Sequence, residues 1–211
     1  HAREIVAIGF HSPAIQVSHG CYGGWATFGP ARRVTRCKEN VLFELDGERA
    51  LDVYKRYLGD YAKDLPAAGL LFPFGMLDSD RDDVGLIRTI LGISEEDGSL
   101  TLAGEIDPTG YLRLMHASTD RLVDGAEEAA RAVLAEDNGA DGLAILVSCV
   151  GRKLVMGDRV DEEVEAVALA LGPQTCLGGF YSYGEIAPFA KGGDCSLHNQ
   201  TMTITRLRET P

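Results

Sequence analysis

The sequence predicts a mixed α/β (α+β) fold: predominantly antiparallel or mixed sheets, flanked by about three to four helices. Three observations predict it. Short runs rich in Val, Ile, Thr and Phe, broken by Gly and Pro, fill much of the first part of the chain. Later stretches place apolar side chains at helical spacing. Between two of these, Leu143 to Ser148 is an unbroken apolar run, the pattern of a central strand covered on both faces.

The elements follow in order. Strands are predicted over 4–9, 13–18, 31–37 and 40–45. Gly20-Cys21-Tyr22-Gly23-Gly24-Trp25 reads as a loop whose glycines permit positive φ or a close backbone approach. Asp46-Gly47 is a turn. Ala50, Tyr54, Tyr57, Leu58 and Tyr61 then line one face of a helix that Pro66 ends. Leu70 to Phe74 is a short buried strand. Residues 86–93, 99–106 and 111–117, separated by Glu95–Gly98 and Asp107–Gly110, predict an antiparallel meander.

Asp124 with Glu127 forms a capping-box pattern. Ala126, Ala129, Ala130, Val133 and Leu134 line the helix behind it, and Asn138-Gly139 stops it. A second helix carries Val160, Val164, Val167, Ala168 and Leu171, with Asp161, Glu162 and Glu163 in its first turn and Gly172-Pro173 at its end. Cys176 to Tyr183 and Thr201 to Leu207 complete the strands. The division is a strand-rich half, 1–118, and an α/β part, 119–211, forming one compact unit.

Lys and Arg number 20 against 32 Asp and Glu, a net charge of −12. That balance argues against a nucleic-acid partner, which needs clustered positive charge. The densest basic stretch, Arg32, Arg33, Arg36 and Lys38, reads as the outward face of a strand. No segment approaches the roughly 18 apolar residues that cross a bilayer. No signal peptide is evident, and the first residue is His1, the look of a piece of something larger.

The cysteines are Cys21, Cys37, Cys149, Cys176 and Cys195, odd in number and without a CxxC pair. Reduced thiols in a cytoplasmic protein account for them, with Cys37 and Cys176 as small core residues. The spacing gives no metal site and the sequence implies no cofactor.

Three segments carry chemistry. In Ser148-Cys149-Val150-Gly151-Arg152 an apolar strand ends in a thiol at a sharp turn, with a short helical stretch expected to follow. Ligands gather at the carboxyl ends of strands in α/β sheets. There a thiol pKa would be lowered, and Arg152 could hold a carboxylate bidentately; a buried cysteine beside a structural ion pair is the plainer alternative. Gly178-Gly179-Phe180-Tyr181-Ser182-Tyr183-Gly184-Glu185 delivers two tyrosines on one face, then Gly184 breaks pairing before a carboxylate that could hold an amine. Leu197-His198-Asn199-Gln200-Thr201 opens the last strand, and His198 with Asn199 beside Cys149 would suit a thiol hydrolase.

Together and in this order, these segments resemble the C-terminal part of the FIST domain family. That family's pattern has a strand ending in cysteine followed by Gly-Arg, a Gly-Phe-Tyr-Ser-Tyr-Gly-Glu-Ile run, and a His-Asn-Gln-Thr segment before the final strand. Here these are Cys149 with Gly151-Arg152, Gly179 to Ile186, and His198 to Thr201. Gly20 to Trp25 and Phe43 to Gly47 also look like the family's middle region, so the resemblance spans most of the chain. It implies that residues 1–118 hold the end of the family's N-terminal region and the start of its C-terminal one, with a further N-terminal half before them. It also implies a sensory role in bacterial signalling proteins, binding small ligands such as amino acids, with no reaction attached.

The leading expectation is therefore a non-catalytic sensor domain. Its ligand-binding residues would be Cys149, Arg152, Tyr181, Tyr183, Gly184, Glu185, His198 and Asn199. Its partners would be a small molecule and a signalling output domain, with a homodimer left open. The alternative is a cysteine-dependent hydrolase or transferase using Cys149, His198 and Asn199. A protein-interaction module is the third reading.

Overall fold

The computed structural model describes residues 5–136, 139, 141–188 and 193–209. In chain order the strands are β1 (Ile15–Tyr22), β2 (Ala26–Thr27), β3 (Arg32–Lys38), β4 (Val41–Leu45), β5 (Glu48–Arg49), β6 (Phe74–Leu77), β7 (Asp83–Arg88), β8 (Ile90–Ser94), β9 (Ser99–Leu102), β10 (Tyr111–His116), β11 (Gly142–Cys149), β12 (Thr175–Ser182), β13 (Glu185–Pro188), β14 (Cys195–His198) and β15 (Met202–Glu209). The helices are α1 (Ala50–Leu58), α2 (Thr119–Glu136), α3 (Val150–Met156) and α4 (Asp161–Leu171). The mixed α+β class predicted from sequence is the fold observed.

One sheet has four strands in the order β1-β15-β11-β12. β11 and β12 pair in parallel, while β15 runs antiparallel between β1 and β11. The carboxyl ends of β1, β11 and β12 therefore lie at one end of the sheet. Ala126, Ala129, Ala130 and Val133 of α2, with Val167 and Leu171 of α4, pack on Ala144, Leu146, Met202 and Ile204. The approach is close: a Cβ on Gly20 would lie 2.0 Å from the Ala129 carbonyl oxygen.

The opposite face lacks a helical layer among the described residues. Val17, Leu207, Leu143 and Cys176 lie in one row across it, then His19, Thr205, Ile145 and Gly178 in the next. These eight positions carry no Asp, Glu, Lys or Arg. The β13–β14 hairpin reaches this face, where His19 Nε2 meets the Pro188 carbonyl at 2.9 Å.

The second sheet has nine strands, in the order β7-β6-β10-β3-β4-β9-β8, with β2 on β10 and β5 on β4. α1 buries Leu51, Val53, Tyr54 and Leu58 against Leu42, Leu45, Phe74, Leu100 and Leu112. The Tyr54 hydroxyl donates to the Phe72 carbonyl at 2.8 Å, so its burial leaves no unmet donor. A third cluster, Trp25, Ile87, Met115, Leu122 and Met156, fills the junction between the two sheets. No helix among the described residues is long and apolar enough to cross a membrane.

Several expectations differ from this fold. Of the strand expected over 4–9, residue 4 lies outside the described residues, and residues 5–9 form no strand: no described strand pairs with them, and their apolar side chains are exposed. The first three residues of the predicted Gly20–Trp25 loop belong to β1. The strand expected at Leu70–Phe74 starts at its last residue, after a short 3-10 turn. Residues 86–93 divide between β7 and β8, and the predicted meander fails at its third strand: β9 pairs with β8 and β4, while β10 pairs with β6, β3 and β2. α2 begins at Thr119, so Asp124 lies inside it, and Ser118 faces the first turn instead, its hydroxyl accepting from Arg121 N–H. Asn138 lies outside the described residues. Cys176, expected in the core, is exposed on its edge strand. The β13–β14 hairpin was not anticipated.

Candidate functional site

The three chemistry-bearing segments meet at the carboxyl end of the four-stranded sheet. β11 delivers Ser148 and Cys149, and Cys149 N–H donates to the Thr201 carbonyl at 3.0 Å. β12 ends at Ser182, whose hydroxyl donates to Glu185 Oε1 at 2.7 Å, while Thr201 Oγ1 donates to Oε2 at 2.9 Å. Glu185 and His198 stand opposite each other at the base of the hairpin.

Almost all of this is sealed. Cys149, Arg152, Glu185, His198 and Asn199 are buried. Tyr181 is half-buried, and Tyr183, one residue past the strand, is 93% exposed, so the two tyrosines do not present one common surface. At Gly184 a Cβ would meet Leu197 Cδ1 at 3.0 Å, which explains the glycine by packing.

Arg152 is wholly buried and fully engaged with the protein. Its Nε and Nη2 donate to Glu163 Oε2 at 3.1 and 3.0 Å, Nη1 to the Gly23 carbonyl at 2.6 Å, and Nη2 also to the Leu122 carbonyl at 2.7 Å. The other oxygen of Glu163 accepts from the Ser148 and Tyr181 hydroxyls at 3.0 and 2.8 Å. A buried pair of this kind is tolerable because each partner's remaining capacity is met.

Electrostatics at the thiols run against the lowered pKa expected. Desolvation, reinforced by the Glu185 carboxylate, raises the Cys149 pKa, and the Gln200 and Gly151 N–H groups and Arg152 only partly oppose it. Burial pushes the Cys21 thiol, which sits against the Thr201 hydroxyl, up to about 11. Glu185 itself is raised by desolvation, and its two hydroxyl donors pull the other way. Burial lowers His198, whose Nε2 meets the Ala187 carbonyl at 2.9 Å. A thiolate nucleophile paired with a ready base does not result.

The open space lies beside this network. A cavity of about 230 Å³ sits at the junction of the sheets. Tyr22, Gly23, Gly24, Trp25 and Thr201 line it from one side; Gly75, Asp83, Gly85, Leu86, Ile87 and Met115 line it from the other. Its walls are fixed from behind by residues the sequence singled out. Arg152 holds the Gly23 carbonyl, Glu185 holds the Thr201 hydroxyl, and the Gln200 carbonyl accepts from Trp25 Nε1 at 3.0 Å. Gln200 does so from a left-handed backbone, φ 62°, a conformation a non-glycine residue adopts at some cost.

A second cavity, about 320 Å³, lies against β12 and α4 and is lined by Tyr181, Ser148, Phe180, Leu177, Val164 and Met202 among others. Its two hydroxyls turn toward Glu163, leaving it an apolar recess on one sheet.

Among residues the sequence reading missed, Tyr22 and Trp25 were within reach: both belong to the glycine-rich segment flagged for close approach. Asp83, Ile87 and Met115 were not, since they join the site only through packing of the second sheet.

The FIST N domain family model matches residues 1–48 and the FIST C domain model matches residues 50–188. No curated protein and no solved structure matches the chain.

Proposed function

The chain belongs to the FIST family, and from that premise we propose that it binds a small ligand, of the size of an amino acid, in the junction cavity. FIST domains are sensory domains of signal-transduction proteins. The observation that carries the reading is that the cavity's walls come from both sheets and are held from behind by two buried side chains, Arg152 and Glu185. A ligand there touches β7 and β10 on one side and the β1 loop and Thr201 on the other. Its binding energy can therefore favour one relation of the two sheets over another, which is what a sensor must do. At about 230 Å³ the space lies below the ~300–1,000 Å³ of drug-sized sites, so the occupant is small.

On this reading Cys149, Arg152 and Glu185 position the walls through Gly23 and Thr201, and the cavity itself offers Tyr22, Trp25, Asp83, Met115 and Thr201. The partner is a signalling output domain or protein, and the setting is the cytoplasm. The thiol-enzyme alternative gains nothing from Cys149, whose pKa is moved away from reactivity.

Trp25 is the single tryptophan and lines the cavity, so its emission reports occupancy directly. Screening the amino acids, with their amine and carboxylic-acid counterparts, should give a saturable emission change and a raised melting temperature for at least one. A ligand at a hundred times its Kd adds about 2.7 kcal/mol to stability. Silence in both readouts across the panel would remove the cavity as a ligand site.

A further inference from the structure

We propose that the junction cavity selects an organic ammonium ion, a small amine on an apolar or aromatic body, over a zwitterion or an anion. This rests on the reading of that cavity as the ligand site and names the chemistry it accepts.

The lining contains one charged side chain, Asp83, and no Lys, Arg or His. Gly85 N–H donates to Asp83 Oδ1 at 2.8 Å, which fixes the carboxylate at the cavity's margin. The basic groups nearby are committed elsewhere. Arg152 lies behind Gly23, bound to Glu163 and two carbonyls. Arg88 is buried, donating to the Glu105, Ile87 and Leu197 carbonyls. The Arg81 guanidinium sits over the Tyr111 ring at 4.8 Å, and Arg121 reaches the Gly24 carbonyl from the far side. A ligand carboxylate entering this space would lose hydration without meeting a cation, a cost no positive charge in the lining offsets.

An ammonium group meets the opposite situation. Trp25 spends its only polar atom on the Gln200 carbonyl, so what it offers the cavity is its carbon ring. Tyr22 adds a second aromatic surface. Aromatic rings with a nearby carboxylate are the standard chemistry for holding an organic cation. Ile87, Leu86 and Met115 supply the apolar wall for its body. The chain's net charge of −12 adds long-range attraction for cations.

The test is a matched series: n-butylamine and choline against norvaline, pentanoate and 1-butanol, titrated at constant ionic strength while Trp25 emission and melting temperature are followed. Norvaline is butylamine with a carboxylate added; pentanoate and butanol remove the cation. The proposal expects saturable binding of the amines, norvaline at least about tenfold weaker, no binding of pentanoate or butanol, and at least about tenfold loss of amine affinity in Asp83→Asn with its melting temperature unchanged. Binding of norvaline or pentanoate as tight as that of butylamine overturns the ligand class and leaves the cavity a ligand site. Unaltered amine affinity in Asp83→Asn also overturns it. If no probe changes either readout, in this series and in the amino-acid panel, both readings fall.

Discussion

Arg152 Nη1 donates to the Gly23 carbonyl oxygen at 2.6 Å, joining the first turn of α3 to the loop after β1 across 129 residues of sequence. The same guanidinium grips Glu163 of α4 and the Leu122 carbonyl of α2. One side chain thus ties together three helices and a cavity wall.

Removing it should be severe. Arg152→Met leaves Glu163 buried without its cation, and breaking a buried pair from one side costs about 3–5 kcal/mol. Thermal denaturation of this variant should show a large drop. Replacing both partners, Arg152→Met with Glu163→Leu, should recover much of it, and a double variant as unstable as the single one would contradict the account.

Glu185 should impose a pH dependence. Burial raises its pKa in the fold above the ordinary 4.5 of a glutamate, so the folded protein holds the proton more tightly. The stability this contributes is fully present below 4.5 and is lost as pH rises through the folded pKa. Glu185→Gln keeps an acceptor for Ser182 or Thr201 and removes the titration. The variant's melting temperature relative to wild type should therefore climb between pH 4 and 8. A difference constant with pH would show that the carboxyl is not desolvated. His198, lowered below 6.5 by burial, acts in the other sense: its contribution is lost as pH falls below 6.5.

Thiol labelling should divide the cysteines. Cys176 and Cys195 are exposed, while Cys21 and Cys149 are buried with pKa values moved upward. Native protein treated with iodoacetamide at pH 8 should modify the first two and spare the second two until denaturant is added, as mass spectrometry of the peptides would show. Rapid labelling of Cys149 in the native state would revive a nucleophilic role.

Gly20 should not tolerate a methyl group. A Cβ there would lie 2.0 Å from the Ala129 carbonyl oxygen, so Gly20→Ala must push α2 off β1. Overpacking of this kind costs about 1–3 kcal/mol, and a urea melt should register it. Gly47→Ala, where open space surrounds the turn but φ is 82°, should cost less.

Much of this molecule can be read from its sequence. The period of Ala126, Ala129, Ala130 and Val133 marks α2, and the apolar run 143–148 marks β11, because each pattern answers to one local geometry. The β8–β9 hairpin is legible in the same way, but the partners of β10 are not: hairpin logic joins neighbours in sequence, whereas β10 takes β6 and β3 through long-range register. The site divides likewise. Cys149, Arg152, Glu185 and His198 stand out by residue type and neighbouring glycines, and they do converge. That Arg152 ends on the Gly23 and Leu122 carbonyls, and Trp25 on that of Gln200, is invisible in the sequence, since backbone carbonyls carry no residue identity.

The placement of β15 orders the birth of the fold. This strand lies between β1 and β11, yet of the fifteen strands among the described residues it is the last to leave the ribosome. Residues 32–116 hold the strands that make up most of the nine-stranded sheet and can pair as they emerge. β1, by contrast, must wait through nearly two hundred residues of translation for the neighbour that joins it to β11. A pairing so distant closes slowly, and a chain stalled before Met202 would carry β1 and β11 with no strand between them, each with an open backbone edge.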